Sequence, residues 1–357
     1  MPNYASTLKD AICSEVQKDD KPLQGLKIVL NSGNGSGGFF NQVLKDLGAD
    51  VSASIHVEPN PNFPAGIPNP EKKDMIAETI QSCQQISADL GILLDTDADR
   101  SGFVVPMPNG EFEPLNRNRL IALLSVIFSR SSPGCSVVTD SVTSEGLAKF
   151  LEDDLGLKHV RYLKGYANVI GRAQELNANE GINAEMAIET SGHCAMKENG
   201  FLDDGTYTAV KVIGLLAREK LEGSPDLLGL ISGMKEMPEE SELRMEVTDG
   251  SLETMAALFD LAAIQIHEKC NDPSSSWMFD AQNLEGIRVR TGDGGFFMLR
   301  KSLHDPVICM QVESASKQSA TETVVGPLLK IFQSINQFNK DVDLSALKGY
   351  GSSSRSE

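Results

Sequence analysis

Leu26-Lys-Ile-Val-Leu30 runs directly into Asn31-Ser-Gly-Asn-Gly-Ser-Gly-Gly38 and then into a helical pattern that reaches Leu47. An apolar run of strand length, a glycine turn and a helix in immediate succession are typical of an α/β unit. The turn invites a nucleotide-binding interpretation, but it contains neither G-x-G-x-x-G nor a Gly-Lys-Ser/Thr ending. We therefore interpret the glycines as a tight strand-to-helix turn.

The same alternation of strands and helices continues on both sides of this stretch. Upstream, Leu8, Ile12 and Val16 are spaced four apart, which predicts a linker helix before residue 22. Downstream, the pattern predicts strand 51–57, helix 75–86, strand 90–94, helix 115–129, strand 136–139, helix 144–153, strand 159–163, helix 167–176, strand 184–188 and helix 206–219. The expected fold class is α/β, with tandem three-layer α/β/α units whose sheets are mixed and mostly parallel.

The pattern changes near residue 237, where strands become more frequent than helices. Strands are predicted at 243–247, 287–290, 295–300 and 307–312, with helices at 251–269 and 321–338. This mixture predicts a smaller α+β domain at the C-terminus. The predicted division is a linker helix (1–21), two α/β domains (22–106 and 107–236), an α+β domain (237–345) and a disordered tail (346–357).

The overall composition excludes several classes of partner. The net charge of −18 disfavours nucleic acid and anionic membranes, because both need a basic protein surface. The longest nearly apolar run, residues 120–128, is about half the length that a transmembrane helix requires. The N-terminus lacks a secretory signal, and the six cysteines are scattered without metal-ligand spacing. We expect an intracellular protein, either cytoplasmic or, if a transit peptide lies upstream, plastid; its oligomeric state is left open.

Three carboxylates at alternate positions form the most specific motif, Asp95-Thr-Asp97-Ala-Asp99-Arg100, just after the strand at 90–94. Like charges this close repel unless a cation lies among them, and oxygen ligands select Mg²⁺, Mn²⁺ or Ca²⁺. An EF-hand loop fails, because Arg100 and Pro106 stand where Gly and Glu are needed. A phosphatase that uses Asp95 as its nucleophile and an acidic turn that caps the next element remain open.

Taken together with Glu189-Thr-Ser-Gly-His193 and Asp203-Asp-Gly205, the acidic motif resembles the metal and sugar loops of the α-D-phosphohexomutases, the phosphoglucomutase/phosphomannomutase family. The resemblance covers about residues 1–345 and corresponds to the second, third and fourth domains of that family. It implies Mg²⁺ bound by Asp95, Asp97 and Asp99. It further implies that Glu189 and Ser191 hydrogen-bond the sugar of a hexose phosphate.

Two further segments resemble functional loops of the same family. Lys164-Gly-Tyr-Ala-Asn-Val169 is similar to its Lys-Val-Gly-His/Tyr-Ala-Asn-Val loop, which makes Lys164, together with Arg100, a possible catalytic residue. The segment from Arg300 to Pro306 is similar to the phosphate loop, and Arg300 and Ser302 match its Arg and Ser. Arginine suits phosphate because it donates two parallel hydrogen bonds.

The chain departs from the family pattern at several of these positions. Thr96 stands where the metal loop usually has Gly, and it would be strained there if that position required a positive φ angle. Ile188 replaces a Gly before Glu189, and Lys164 lies one residue late. In the phosphate loop, Lys301, Leu303, His304 and Asp305 replace Pro, Asn/Gly, Thr and Glu.

No Ser-His-Asn-Pro-like motif, the site of the family's phosphoserine, occurs in these 357 residues. The expectation is a truncated or fragment form of a Mg²⁺-dependent hexose-phosphate mutase, inactive on its own. Two alternatives are a non-catalytic sugar-phosphate-binding or regulatory homologue and a metal-dependent sugar phosphatase.

Overall fold

The computed structural model describes residues 2–223, 225–281, 283–302 and 305–350. It divides into two compact units: the first contains Met1–Thr143 and Leu147–Met234, and the second contains Ser144–Gly146 and Lys235–Glu357. None of the helices in the described part of the chain is long and apolar enough to cross a membrane. The finer boundaries predicted at residues 21/22 and 106/107 stay predictions.

Apart from the strand predicted at 51–57, the helices and strands follow each other in the order that the sequence predicts, with additions. The helices are α1 (Pro2–Val16), α2 (Phe40–Asp46), α3 (Lys73–Ile86), α4 (Asn118–Ser131), α5 (Glu145–Lys149), α6 (Tyr166–Asn179), α7 (Gly205–Leu221), α8 (Leu252–Asn271), α9 (Lys317–Ala320), α10 (Gly326–Ser334), α11 (Asn336–Asp341) and α12 (Ser345–Gly349). The strands are β1 (Ile28–Asn31), β2 (Leu90–Leu94), β3 (Ser101–Pro106), β4 (Phe112–Leu115), β5 (Ser136–Thr139), β6 (Lys158–Arg161), β7 (Ala184–Ile188), β8 (Cys194–Met196), β9 (Glu239–Glu246), β10 (Met278–Phe279), β11 (Ile287–Arg290), β12 (Phe296–Lys301) and β13 (Val307–Ser314).

The first unit contains two mixed sheets. In one, with the order β1-β2-β3-β4, β1 and β2 are parallel and the other pairs are antiparallel. In the other, with the order β6-β5-β7-β8, three parallel strands are joined by an antiparallel β8. Every residue of β1, β2 and β5 is buried, and burial of both faces fits the largely apolar sequences of β1 and β2. The predicted α/β fold class is confirmed.

A helix that is buried along most of its length joins the two sheets into one unit. Helix α7 contacts β2 and β3 of one sheet, β8 of the other, and α1. Leu8, Ile12 and Val16 of α1 are buried in the shared core, as their spacing predicted. The predicted linker helix is therefore packed into the core of the first unit.

The strand predicted at 51–57 is wrong, since this segment forms only isolated bridges. Ile55 bridges to Asn31 and Asp50 bridges to Lys27, but no continuous ladder forms. The segment is irregular in spite of its alternating apolar residues. Within this segment, His56 has a positive φ angle. In the turn that follows, Phe63 also has a positive φ angle.

The glycine turn after β1 packs against the loop that follows β2. Ser36 donates its backbone N–H to the Thr96 carbonyl at 2.9 Å. A Cβ atom on Gly35 would lie 2.7 Å from the carbonyl oxygen of Asp95, so a side chain has no room there. This close backbone approach favours the structural interpretation of the turn.

The second unit contains one five-stranded sheet with the order β10-β11-β12-β13-β9, in which all neighbours are antiparallel. The helix predicted at 321–338 is instead divided into shorter segments, and Pro327 lies in the first turn of α10. The tail predicted to begin at 346 is wrong for residues 346–350, because α12 buries Leu347 and Tyr350. Residues 351–357 lie outside the described part of the chain.

Asp293, in the turn between β11 and β12, receives an unusual number of hydrogen bonds. Its Oδ2 accepts from the hydroxyls of Ser314 and Ser319, at 2.5 and 2.6 Å, and from the Ala315 N–H. Its Oδ1 accepts from the Thr291 hydroxyl and the Gly295 N–H. Partial burial opposes ionisation, but these hydroxyls hold the pKa of Asp293 well below its usual range. The ionised carboxylate thus connects the turn to the end of β13 and to α9.

Asp293→Asn is expected to destabilise the second unit by about 1–3 kcal/mol, because an amide cannot accept the same set of hydrogen bonds. A depressed folded-state pKa contributes stability above the unfolded pKa of about 4, and this contribution is lost as pH falls below it. Urea unfolding between pH 3 and 7 should therefore show a smaller pH dependence in the variant. Asp260→Asn, at an exposed position on α8, is the control. Equal pH dependence in the variant and the wild type would contradict this role.

Candidate functional site

The acidic motif forms the loop between β2 and β3, at the edge of the first sheet. β2 ends at Leu94 and β3 begins at Ser101, so residues 95–100 make the whole connection. The positive φ angle in this loop belongs to Ala98, at 65°, whereas Thr96 is not among the residues with positive φ. The substitution of Thr for the usual Gly is therefore accommodated without backbone strain.

The three carboxylates predicted to bind metal do converge. One oxygen each from Asp95, Asp97 and Asp99 lies within 4.8 Å of the others. Burial and the charges of Asp95 and Asp97 raise the pKa of Asp99 to about 6. The buried Oδ1 of Asp99 has no hydrogen-bond partner among the described residues. A hard divalent cation would neutralise the clustered negative charges and would coordinate the unpartnered carboxylate oxygen. These residues therefore fit such an ion.

Arg100 holds the first of these carboxylates in place. Its Nε donates to Oδ2 of Asp95 at 2.7 Å, and its backbone N–H donates to Oδ1 at 3.1 Å. The Asp95 side chain is almost fully buried, and the Arg100 side chain is 25% exposed. The contacts give Arg100 an orienting role next to the acidic loop, while its predicted catalytic role stays a prediction.

The acidic loop is in direct contact with the predicted sugar loop. Arg100 and His193 form an isolated β-bridge, and Ser101 donates its N–H to the Gly192 carbonyl. Gly192 has φ of 98°, and a Cβ atom there would lie 2.6 Å from the Ser101 carbonyl oxygen. The glycine of the Ser-Gly-His sequence thus allows two loops from two sheets to meet.

His193 is a candidate site residue to which the sequence assigned no role. Its Nδ1 donates to Oδ2 of Asp203 at 2.8 Å and lies 3.7 Å from Oδ2 of Asp99. Burial opposes its charge, but the Asp203 hydrogen bond and the nearby carboxylates raise the pKa of His193. Its ring stacks on that of Tyr166, with centroids 4.9 Å apart. In the sequence, this pair is indicated only by the positions of His193, at the end of the motif 189–193, and of Asp203, at the start of the motif 203–205.

Glu189 and Ser191 occupy a tight turn after β7. Gly192 donates its N–H to the Glu189 carbonyl, and Glu189 donates its own to the His193 carbonyl. Oε1 of Glu189 accepts from the Gly165 N–H at 2.7 Å, and Oε2 lies 3.3 Å from the Ser191 hydroxyl that donates to it. The structure therefore brings Glu189, Ser191 and the Lys164–Gly165 segment together.

The electrostatics of this turn are set by burial and by Lys164. Burial and the charge of Asp140 raise the pKa of Glu189, and the Lys164 ammonium opposes that shift. The Lys164 carbonyl accepts from the Asn168 side chain at 2.7 Å, which fixes the backbone at the start of α6. Lys164 thus lies where its charge favours an ionised Glu189.

The predicted phosphate residues lie in the second unit. Nη2 of Arg300 is 3.6 Å from Oε1 of Glu242, and the Arg300 side chain is 14% exposed. Ser302 donates its N–H to the Val307 carbonyl, and Nζ of Lys301 lies 5.3 Å from the centre of the Phe259 ring. Leu303 and His304 lie outside the described residues. The described contacts leave phosphate binding at Arg300 and Ser302 as a prediction.

Comparisons with known proteins converge on one family. Residues 2–108 match the family model described as phosphoglucomutase/phosphomannomutase, alpha/beta/alpha domain II, and residues 116–229 match that for domain III. A phosphomannomutase/phosphoglucomutase of Pseudomonas syringae pv. tomato is 27% identical over 321 residues, which are 89% of this chain and 62% of the relative. The chain thus spans about three fifths of the length of the curated relatives that it matches.

Solved structures show the same fold. A phosphoglucomutase/phosphomannomutase family protein from Burkholderia thailandensis has a TM-score of 0.69 at 22% identity, over 94% of this chain and 64% of its own. An Aspergillus fumigatus N-acetylphosphoglucosamine mutase, in complex with GlcNAc-6P and magnesium, has a TM-score of 0.55 at 13% identity, over 91% of this chain and 65% of its own.

Proposed function

Because the chain belongs to the phosphoglucomutase/phosphomannomutase family, we propose that it binds a hexose phosphate and Mg²⁺ for an intramolecular phosphoryl transfer of the isomerase type. The substrates would be glucose 1-phosphate and 6-phosphate or their mannose equivalents. The single observation that carries the proposal is the contact of the acidic loop with the sugar loop in the first unit.

The acidic loop supplies the metal part of this function. Asp95, Asp97 and Asp99 would hold Mg²⁺, and Arg100 keeps Asp95 in its orientation. When bound, Mg²⁺ would neutralise charge on the phosphoryl group being transferred. His193, held by Asp203 and adjacent to Asp99, places an imidazole at the same edge.

The sugar part of the function rests on the turn after β7. Glu189 would accept hydrogen bonds from sugar hydroxyls, and Ser191 would add a hydroxyl donor. Lys164 would favour the ionised form of Glu189 and provide a cation close to the ligand. Arg300 and Ser302 are the proposed contacts of the phosphate that does not react.

The contacts of Asp95 weigh against a phosphatase that would use this residue as its nucleophile. Both of its carboxylate oxygens accept hydrogen bonds from Arg100, which reduces their nucleophilic character. A non-catalytic sugar-phosphate-binding role is supported by the lack of a Ser-His-Asn-Pro-like motif in the 357 residues. Binding is common to this role and to the mutase function, so binding is tested first.

Glu189→Gln is expected to weaken the binding of glucose 6-phosphate or mannose 6-phosphate by about tenfold or more, because charged hydrogen bonds to the sugar are lost. Isothermal titration calorimetry in the presence of Mg²⁺ measures the change. The matched control is Glu175→Gln, whose carboxylate is half exposed on α6 and pairs with Arg172. If the wild type gave no heat with any hexose phosphate, or if both variants bound equally well, the proposed sugar site would be wrong.

A further inference from the structure

Asp140 is a fully buried carboxyl group that the proposed function leaves unused. It follows β5, the central strand of the second sheet, and has no exposed surface. Its Oδ2 accepts from the Thr190 N–H at 3.1 Å and from the Thr190 hydroxyl at 2.7 Å. Its Oδ1 is buried without a hydrogen-bond partner among the described residues. A buried carboxyl with an unsatisfied oxygen is costly, so its presence needs a reason beyond packing.

The register of the sheet places Asp140 beside the turn after β7 that carries Glu189 and Ser191, here called the sugar turn. Thr139 of β5 pairs in parallel with Arg161 of β6 and with Ile188 of β7. The residues that follow these three strands therefore emerge at one edge of the sheet. There, Glu189 is held from the β6 side by the Gly165 N–H, while the next residue, Thr190, is held from the β5 side by Asp140.

The positive charge of Lys164 acts on both Asp140 and Glu189. Burial raises the pKa of Asp140, and the charges of Lys164 and Arg117 and the hydrogen bonds from Thr190 oppose the shift. The charge of Asp140 in turn raises the pKa of Glu189. Two buried carboxyl groups therefore share the field of Lys164, an arrangement that is more common at functional sites than in structural cores.

We propose that Asp140 is a positioning residue for sugar recognition. By fixing Thr190, Asp140 sets the direction in which the turn presents the Glu189 carboxylate and the Ser191 hydroxyl to the hydroxyls of a hexose. It contributes to the choice of a hexose phosphate over inorganic phosphate, because it acts through the residues that would touch the sugar. This inference rests on the proposed function of Glu189.

Thr190→Val tests the inference with little change in side-chain shape. It removes the hydroxyl that donates to Asp140, whereas Thr190→Ser retains that hydroxyl. In Thr190→Val, the affinity for glucose 6-phosphate measured by calorimetry should fall by about fivefold or more, and the affinity for inorganic phosphate should stay within twofold of the wild type. Thr190→Ser should bind glucose 6-phosphate with the affinity of the wild type. Equal losses for both ligands, or unchanged glucose 6-phosphate affinity in Thr190→Val, would overturn the inference.

A second readout needs no ligand and separates this inference from the proposed function. The Gly165 amide reports on the Glu189 carboxylate that it contacts, so its nitrogen and proton NMR shifts should change in Thr190→Val but not in Thr190→Ser. Asp140→Ala should change them as well, if it folds. If the wild type binds no hexose phosphate, the proposed function fails, and an altered Gly165 amide would still support the positioning by Asp140. An unaltered Gly165 amide in Thr190→Val would overturn it.

Discussion

Asp97→Asn combined with Asp99→Asn is expected to weaken Mg²⁺ binding by at least about a hundredfold, while the metal-free protein becomes no less stable. The loss follows because Mg²⁺ binds through ionised carboxylates, and two of the three converging groups become neutral amides. The unchanged or increased stability follows because the converging carboxylates repel each other in the absence of a cation, and because burial of Asp99 disfavours its charged form. Calorimetric titration with MgCl₂ measures the affinity, and thermal unfolding in EDTA measures the stability.

Thermal unfolding with and without Mg²⁺ provides the complementary measurement. A ligand that binds only the folded state raises the unfolding temperature, so Mg²⁺ should raise it for the wild type and not for the double variant. Asp260→Asn, which is exposed on α8 in the second unit, should behave like the wild type. The metal assignment would be refuted by an equal Mg²⁺-dependent gain in the double variant. A purely structural role of the loop would instead appear as a lower unfolding temperature of the double variant in EDTA.

The elements that the sequence predicted well are those whose burial gives a clear pattern. Residues 90–94 are a short apolar run, and residues 136–139 contain the adjacent Val137 and Val138, because both faces of these strands are buried. The α1 pattern was equally clear, since Leu8, Ile12 and Val16 face one core. By contrast, residues 51–57 alternate as a strand should, yet isolated bridges are their only pairing. Ladder formation depends on neighbours along the sheet, which a local pattern does not contain.

The same distinction applies to the candidate site. The carboxylates of the acidic loop could be predicted because they are close in sequence and follow a buried strand. The contact of Asp140 with Thr190 could not, because the two residues are 50 positions apart and only the sheet brings them together. The position of the positive φ angle, at Ala98 rather than Thr96, also depends on the folded loop. The motifs thus predicted a candidate site, and the fold determined the contacts among its residues.

A protein of these 357 residues is expected to have no measurable mutase activity with a bisphosphate activator and Mg²⁺. It should form no glucose 6-phosphate from glucose 1-phosphate and no mannose 6-phosphate from mannose 1-phosphate. In the family that the chain resembles, the phosphoryl group passes through a serine in a Ser-His-Asn-Pro-like motif, and the 357 residues contain none. Uncatalysed phosphate-ester reactions are so slow that enzymes accelerate them by up to about 10²¹-fold. Bound metal and an oriented sugar cannot replace the missing phosphoryl carrier, so sugar binding should persist while turnover stays at background.

A coupled assay for glucose 6-phosphate, run on protein whose hexose-phosphate binding has been measured in the same preparation, tests this separation of binding from turnover. A full-length phosphoglucomutase in the same assay is the positive control, and a phosphate-release assay detects phosphatase activity. Turnover that increases with protein concentration and disappears in the Asp97→Asn, Asp99→Asn variant would contradict the prediction. Such turnover would mean that a group within the 357 residues carries the phosphoryl group, and the hydroxyl of Ser191, which lies beside Glu189 in the sugar turn, would be the first to examine. Binding without turnover would instead confine the contribution of this chain to recognition of the sugar phosphate and the metal.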